Sequence, residues 1–332
     1  MKLLITGASG FVGRHVVGEA LERGHRVWAI VRPGSDLRNV AWAEHAGVTV
    51  APLDLRQPAG LEELIAEVDA VVHLAAVMRG DIEAQRTGTV ATTENLLKAM
   101  AETVGRRLVL VSSLSVYDYR RIAAFTELDE GSPIEEHPEQ REAYCWAKLL
   151  QEDLVRRYGR EHDLAITILR LGVVIGPDRT WTDQLGLRVL SWLWIRFTAA
   201  RAPIPLTYVE NCAAAILMAT ESTAAVGETF NVVDDDLPTR GWYARELRRR
   251  ETPRPRVLVL PGTLVRAIAR GVWNLNELLF AGRIRLPWFA NPAKLDVQLK
   301  PLRFSHARIS RVLGWEPRFS MTEALDRCFR PT

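Results

Sequence analysis

The sequence predicts an α/β protein, a doubly wound parallel sheet followed by a smaller, mostly helical C-terminal lobe. Three observations carry that prediction. Short apolar runs alternate with helix-period segments from the N-terminus to Pro177. Several of those runs are nearly unbroken Val, Ile and Leu, as strands buried on both faces require. A glycine-rich turn joins the first run to the first helical segment. The chain of 332 residues, 48% hydrophobic and 25% charged, has the composition of a globular protein rather than a disordered or fibrous one.

The expected strands are Lys2–Thr6, Arg26–Val31, Val48–Pro52, Ala70–Leu74, Arg107–Ser112 and Ala165–Arg170. Between them the periodicity predicts helices over Phe11–Arg23, Leu61–Glu67, Thr89–Glu102 and Arg141–Tyr158. After Pro177 strands become sparse and tryptophans accumulate. Leu206–Val209 and Thr229–Val232 are candidates to return to the sheet, with Asn211–Thr220 a helix between them. The expected division is therefore 1–177 plus 206–234 as a dinucleotide-binding domain, and 178–205 plus 235–332 as a substrate-binding lobe.

Several function classes are excluded. The three cysteines, Cys145, Cys212 and Cys328, form no CxxC pair, and the seven histidines form no HExxH. Neither a metal site nor a disulfide framework is expected. Charge is uneven: residues 1–180 hold 21 basic and 26 acidic side chains, a net of −5, and 181–332 hold 22 and 14, a net of +8. The arginine run from Arg240 to Arg256 reads as a solvated helix and a Pro-rich turn rather than a nucleic-acid or anionic-membrane patch. The N-terminus runs straight into a strand without a charged leader, and the apolar segment Gly262–Gly282 is broken by Arg266, Arg270 and Glu277. The expectation is a cytoplasmic protein acting on a small molecule, with membrane-surface contact a secondary option.

Thr6-Gly7-Ala8-Ser9-Gly10-Phe11-Val12-Gly13 falls where the first strand turns into the first helix. Gly7 permits the tight turn, Gly10 lets the backbone approach a pyrophosphate, and Gly13 permits close packing of helix on strand. The helix N-terminus then offers free N–H groups to the phosphates.

The second strand ends in Arg32, where an NAD-specific protein carries an acid for the ribose 2′-hydroxyl. A guanidinium there suits a 2′-phosphate, so NADP(H) is favoured over NAD(H), with Arg14 a second cation nearby.

Tyr144 and Lys148 stand four apart on a predicted helix and so share a face. A phenol titrates near ~10, and a nearby ammonium lowers that value enough for proton exchange. The chain has 5 lysines against 38 arginines, so a lysine at this spacing fits a role that wants a compact ammonium.

The spacing GxxGxxG, the YxxxK pair and the motifs between them resemble the extended short-chain dehydrogenase/reductases, close to the NAD-dependent epimerase/dehydratase family. The resemblance implies a Rossmann fold. It makes Asp54-Leu55 the adenine-contacting position and Leu74-Ala75-Ala76 the cofactor-lining turn after His73. It also assigns Ser113, set against Val116-Tyr117, as the hydroxyl that steadies a substrate carbonyl, with Ser112 and Ser115 as fallbacks. Ser9, Phe11 and Val12 join the three glycines around the phosphates, and Tyr144 and Lys148 complete the cofactor contacts. A dimer through the Tyr144 helix and the Thr89–Glu102 helix is the implied assembly.

Departures from the resemblance narrow the chemistry. The relay asparagine of many relatives is replaced by Thr89. Leu114-Ser115 stands where 4,6-dehydratases carry an Asp-Glu pair, so dehydration is not expected. Val173 replaces the asparagine that faces a nucleotide-sugar diphosphate, which points to an apolar carbonyl or secondary alcohol. Trp181–Phe197 is either a lid over that substrate or a core helix, and Arg188, Arg196 and Arg201 keep a nucleotide sugar in play. The expected activity is NADP(H)-dependent hydride transfer. The alternatives are a nucleotide-sugar epimerase that retains its NAD(P) and, more remotely, a dinucleotide-sensing protein without catalysis.

Overall fold

The computed structural model describes every residue except 39, 104–106, 199–201, 282, 285, 331 and 332. Seven parallel strands form the central sheet: β1 (Lys2–Thr6), β2 (Arg26–Val31), β3 (Val48–Pro52), β4 (Ala70–His73), β5 (Arg107–Ser113), β6 (Ala165–Leu171) and β7 (Thr229–Val232). Their order is β7-β6-β5-β4-β1-β2-β3. Chain direction reverses its march across the sheet between β1 and β4, and ligands of open α/β sheets bind outside the carboxyl ends at such a switch point. The six strands expected from the first part of the sequence are all present, with ends shifted by one residue at most.

Alternation along the strands explains the two-sided core. Leu3, Ile5, Val27 and Ala29 face one layer with helices α1 (Phe11–Glu22) and α5 (Val209–Glu221). Leu4, Trp28, Ile30 and Val71 face the other, with α2 (Leu61–Ala66), α3 (Ala91–Ala101) and α4 (Ala143–Glu161). Both faces being covered is why β1 and β2 read as continuous apolar runs.

Three expectations meet a different arrangement. Of the two candidates to rejoin the sheet, 229–232 does so as β7, whereas Leu206–Tyr208 pairs in parallel with Val173–Ile175 as a separate two-stranded ribbon. The helix expected from Thr89 is preceded by a π-helical turn over Arg86–Val90. Trp181–Phe197 is not a core helix, and the lid alternative takes the form of a β-hairpin. Gly186–Leu190 pairs antiparallel with Leu193–Thr198, which runs parallel to Arg256–Pro261 in a three-stranded sheet. A Cβ on Gly186 would lie 2.1 Å from the Ile195 carbonyl oxygen, so this hairpin closes only around glycine. Within it Trp194 is buried against Leu185 and Tyr243, and Trp192 stands exposed at the turn.

The remaining second-lobe helices used below are α6 (Arg240–Arg250), α7 (Gly262–Phe280) and α8 (Pro292–Gln298). The arginine run begins in α6, as expected, with Arg249 and Arg250 paired to Glu246.

Candidate active site

The site assembles at the carboxyl ends of β1, β4 and β5. Gly7 has φ +67°, and a Cβ there would meet the Ala75 nitrogen at 3.0 Å. At Gly13 the added carbon would stand 2.1 Å from the Gly7 oxygen. Only glycine therefore allows the loop to tuck against both the β4 turn and its own helix. Gly10 caps α1 without any side-chain hydrogen bond, which leaves the first-turn N–H groups available, with the positive end of the helix dipole behind them. Ser9, Phe11 and Val12 are half-buried around this end. Opposite, Leu74 and Ala75 donate their backbone N–H groups to Thr6 Oγ1, 3.2 Å each, and Ala76 continues the half-buried turn.

The distal end of the groove lies at β2 and β3. Arg32 is exposed just beyond β2 and has no carboxylate partner among the described residues. Asp54 is held by Arg56 in a pair of 2.6 Å, and that guanidinium keeps the carboxyl below its usual range. Leu55 is buried and its carbonyl accepts from Asn95 Nδ2 at 2.8 Å. Asp36 is paired with Arg38 at 2.7 Å, and the charge of Arg32 helps to hold the Asp54 carboxyl low.

Hydrogen bonding separates the three serines at the end of β5. Ser112 is buried and donates to Glu152 Oε1 at 2.6 Å. The Ser115 hydroxyl is buried without a partner. Ser113 is half-buried, and its oxygen accepts from the Ser115 N–H at 3.1 Å. Of the three, Ser113 is the one whose hydroxyl acts on the Tyr144 phenol, drawing its pKa down.

Burial raises the Tyr144 phenol above its ordinary value, while the Ser113 hydrogen bond and the charge of Arg179 work in the opposite direction. Arg179 was not singled out by the sequence. Its guanidinium lies 5.1 Å from the centre of the Phe11 ring, at the glycine loop, and it follows the Gly176-Pro177 turn. A Cβ on Gly176 would come within 2.9 Å of that same ring.

Lys148 is buried, with its ammonium 5.9 Å from the centre of the Tyr144 ring. It donates to the Val111 carbonyl at 2.9 Å and to Gln151 Oε1 at 2.8 Å. Burial pulls its pKa down to about 8, against the opposing charge of Glu152. Tyr144 and Lys148 thus share one face of α4, as their spacing predicts.

Behind Lys148 runs a buried polar chain that the sequence did not reveal. Thr6 Oγ1 already accepts two backbone N–H groups, so its single hydrogen goes to His73 Nδ1, 2.8 Å away. His73 then carries its proton on Nε2 and donates to Thr93 Oγ1 at 2.9 Å. Thr93 donates onward to the Thr89 carbonyl at 2.7 Å and accepts from Gln151 Nε2 at 2.6 Å. Thr6, His73 and Thr93 have each committed their one side-chain hydrogen, and burial holds His73 neutral, with a pKa of about 3. Thr89, at the relay position, donates to Gln85 Oε1 and accepts from the Val77 N–H, away from Lys148.

A second buried group fixes the base of α4. Arg170 pairs with Glu152 at 2.7 Å and donates to the Tyr117 hydroxyl, which donates to Asn231 Oδ1. The only signal in the sequence was a charged pair placed in otherwise apolar surroundings. Val173 is half-buried and packs on the cluster containing Trp194, Leu206 and Tyr243. Arg188 is tied to Glu251 at 3.4 Å, Arg196 is half-buried without a carboxylate partner among the described residues, and Arg201 lies outside those residues. Cys145 is buried, donates to the Ser115 carbonyl and has its thiol pushed up to about 11.

A doubly wound sheet, an uncapped glycine-rich helix start at its switch point and a Ser-Tyr-Lys group beside it define a dinucleotide-binding enzyme of the α/β class. The chain belongs to the NAD-dependent epimerase/dehydratase family, whose model matches residues 3–232, and is accordingly an NAD(P)-dependent enzyme of the extended short-chain dehydrogenase/reductase type. It is 28% identical to the 2-alkyl-3-oxoalkanoate reductase of Stenotrophomonas maltophilia, over 98% of each chain. It is 26% identical to cinnamoyl-CoA reductase 2 of Medicago truncatula, over 67% of this chain and 69% of that one. Its fold matches UDP-glucuronic acid 4-epimerase of Bacillus cereus, solved with UDP-glucuronic acid and NAD. The TM-score is 0.74 at 19% identity, covering 99% and 98% of the two chains.

Proposed function

We propose that the chain is an NADP(H)-dependent reductase or dehydrogenase for the carbonyl or secondary alcohol of an apolar small molecule. The observation that carries this reading is the meeting of Ser113, Tyr144 and Lys148 at the end of β5, facing the open N-terminus of α1. When bound, the nicotinamide supplies or accepts the hydride. Ser113 donates to the substrate oxygen and holds it beside the Tyr144 hydroxyl, which gives up or takes the proton. Lys148 has two of its three hydrogens committed, which leaves one for the ribose hydroxyls. Gly7, Ser9, Gly10, Phe11, Val12 and Gly13 would cradle the pyrophosphate, Leu74–Ala76 would line the nicotinamide side, and Asp54 and Leu55 the adenine side. The loop suits a dinucleotide because it leaves the first-turn N–H groups of α1 uncapped, and a Cβ at Gly7 or Gly13 would strike the Ala75 or Gly7 backbone and force that loop apart.

Arg32, exposed and without a salt bridge among the described residues, supports NADP(H), through a bidentate contact with a 2′-phosphate. Val173 and the names of the two reductases support an apolar substrate. A homodimer through α3 and α4 is part of the proposal, and its mass in solution tests it. The half-buried, unpaired Arg196 favours the second reading, a nucleotide-sugar epimerase, since it has no acid to neutralise it among the described residues.

Parallel titration of the purified protein with NADPH and NADH separates the readings. Preference for NADPH, lost in Arg32→Ala, is the expected result, and turnover of apolar ketones should follow. Tightly retained NAD with no exchange would overturn it in favour of the epimerase.

A further inference from the structure

Helix α7 buries one side and leaves a second apolar side uncovered. Val265 and Ala269 are buried in a cluster with Phe197, Leu295 and Leu299. Leu264, Ile268, Leu275 and Leu279 recur at helical spacing along a different stripe, and all are exposed. Leu278 and Phe280 widen that stripe at the C-terminal end; Leu278 is 81% exposed. Of the 18 large hydrophobic residues that stand exposed among the described residues, 10 fall between Leu258 and Ile284. Single exposed apolar residues are ordinary, but a concentration of this kind marks an interaction surface.

Charge around the stripe selects the partner. Residues 254–285 contain six arginines and one acid, Glu277. Arg266 and Arg270 share the single carboxylate of Asp296, at 2.7 and 3.9 Å. Arg254, Arg256 and Arg283 have no carboxylate partner among the described residues. A second copy of the chain is a poor occupant, because two-fold pairing would set this arginine rim against itself. An anionic bilayer answers both features, with acyl chains for the stripe and phosphate headgroups for the rim. No helix of the described residues is long and apolar enough to cross a membrane, so the contact is one of lying on the surface.

We propose that α7 docks the protein on an anionic membrane surface, its leucine stripe in the acyl boundary and the flanking Arg254, Arg256 and Arg283 among the headgroups. The docked helix is one element away from the candidate active site. It packs on α8, and Lys294 of α8 pairs at 2.9 Å with Glu142, the residue that caps α4 two positions before Tyr144. With an apolar substrate, as in the proposed function, docking would let that substrate pass from the bilayer without crossing water.

Flotation of the full chain with vesicles tests the docking independently of catalysis. Binding is expected to vesicles of phosphatidylcholine mixed with phosphatidylglycerol, and only weakly to phosphatidylcholine alone. The double variant Leu275→Asp/Leu279→Asp should lose about a hundredfold in partitioning, since each leucine leaves the acyl boundary. Arg254→Gln and Arg283→Gln should each cost about fivefold on the anionic vesicles only. All four positions are exposed, so circular dichroism and dinucleotide titration should stay unchanged. Failure of the parent protein to float with anionic vesicles would overturn the proposal, as would undiminished flotation of the double variant. If the protein does not float but self-associates, and the double variant abolishes that association, the stripe belongs to a second copy.

Discussion

The Lys148 ammonium donates to Gln151 Oε1 at 2.8 Å, one turn further along the same helix, and the other end of that amide is locked on Thr93 at 2.6 Å. Lysine has only donors and Thr93 has already given its hydrogen to the Thr89 carbonyl, so the amide can adopt only this orientation. Gln151 is therefore a positioning residue for the ammonium. Its dipole supports the charged form in a site where burial alone depresses it.

Exchanging Gln151 should move the Lys148 titration in opposite directions. Lys148 titrates at about 8, and catalysis that needs the ammonium should decline above that pH. Gln151→Met removes the acceptor and shifts this limb lower; Gln151→Glu places an anion there and shifts it higher, each by about one unit. With 5 lysines in the chain, the ammonium can be followed by nitrogen NMR without any turnover, and Lys148→Met assigns its signal. A limb that stays put in both variants would remove Gln151 from this role.

Arg179 should tune Tyr144. Its charge opposes the burial that raises the phenol, so Arg179→Met raises the Tyr144 pKa further. In the oxidative direction, which needs phenolate, the pH–rate limb should move upward and turnover at neutral pH should fall. Tyr144→Phe, by contrast, should cost about a hundredfold or more in turnover at every pH and leave dinucleotide affinity nearly intact.

His73 links stability to pH. Its pKa is about 3 in the fold, below the ordinary histidine value, so between these two points the unfolded chain binds a proton that the native state refuses. Stability from this group is complete above the unfolded value and is lost as pH falls below it. Urea unfolding at pH 7 and pH 5 should show a drop of about 2 kcal/mol attributable to His73. His73→Gln should lack that component of the slope while keeping the contributions of the carboxylates.

Gly13→Ala should injure the cofactor groove directly. The new methyl would overlap the Gly7 carbonyl at 2.1 Å, and both partners are backbone, so the loop and helix must separate. Dinucleotide affinity should fall at least about tenfold and the melting temperature should drop. Ala substituted at Gly18, where nothing lies within 4 Å, is the control and should be tolerated or mildly stabilising.

Local chemistry explains what was legible. Glycines at Gly7, Gly10 and Gly13, unbroken Val/Ile/Leu runs and the four-residue step from Tyr144 to Lys148 are all consequences of neighbouring residues. Backbone geometry translates them into structure without reference to the rest of the chain. They specified the strands of the seven-stranded sheet to within a residue. The segment after Pro177 was harder, because its three-stranded sheet depends on partners more than 60 residues apart, Leu193 with Arg256. In that hairpin, burial alternates only over a few positions and leaves Trp192 exposed, so no strong period-two signal exists.

The sequence by itself determined the doubly wound frame, the dinucleotide groove and the tyrosine–lysine face. Tertiary structure alone decided which serine meets Tyr144, that Gln151 holds Lys148, that Arg179 reaches Phe11, and that α7 keeps an apolar side uncovered. These depend on where residues far apart in the chain come together; even Gln151, three residues from Lys148, is oriented by Thr93, 58 residues away, and periodicity does not encode such approaches.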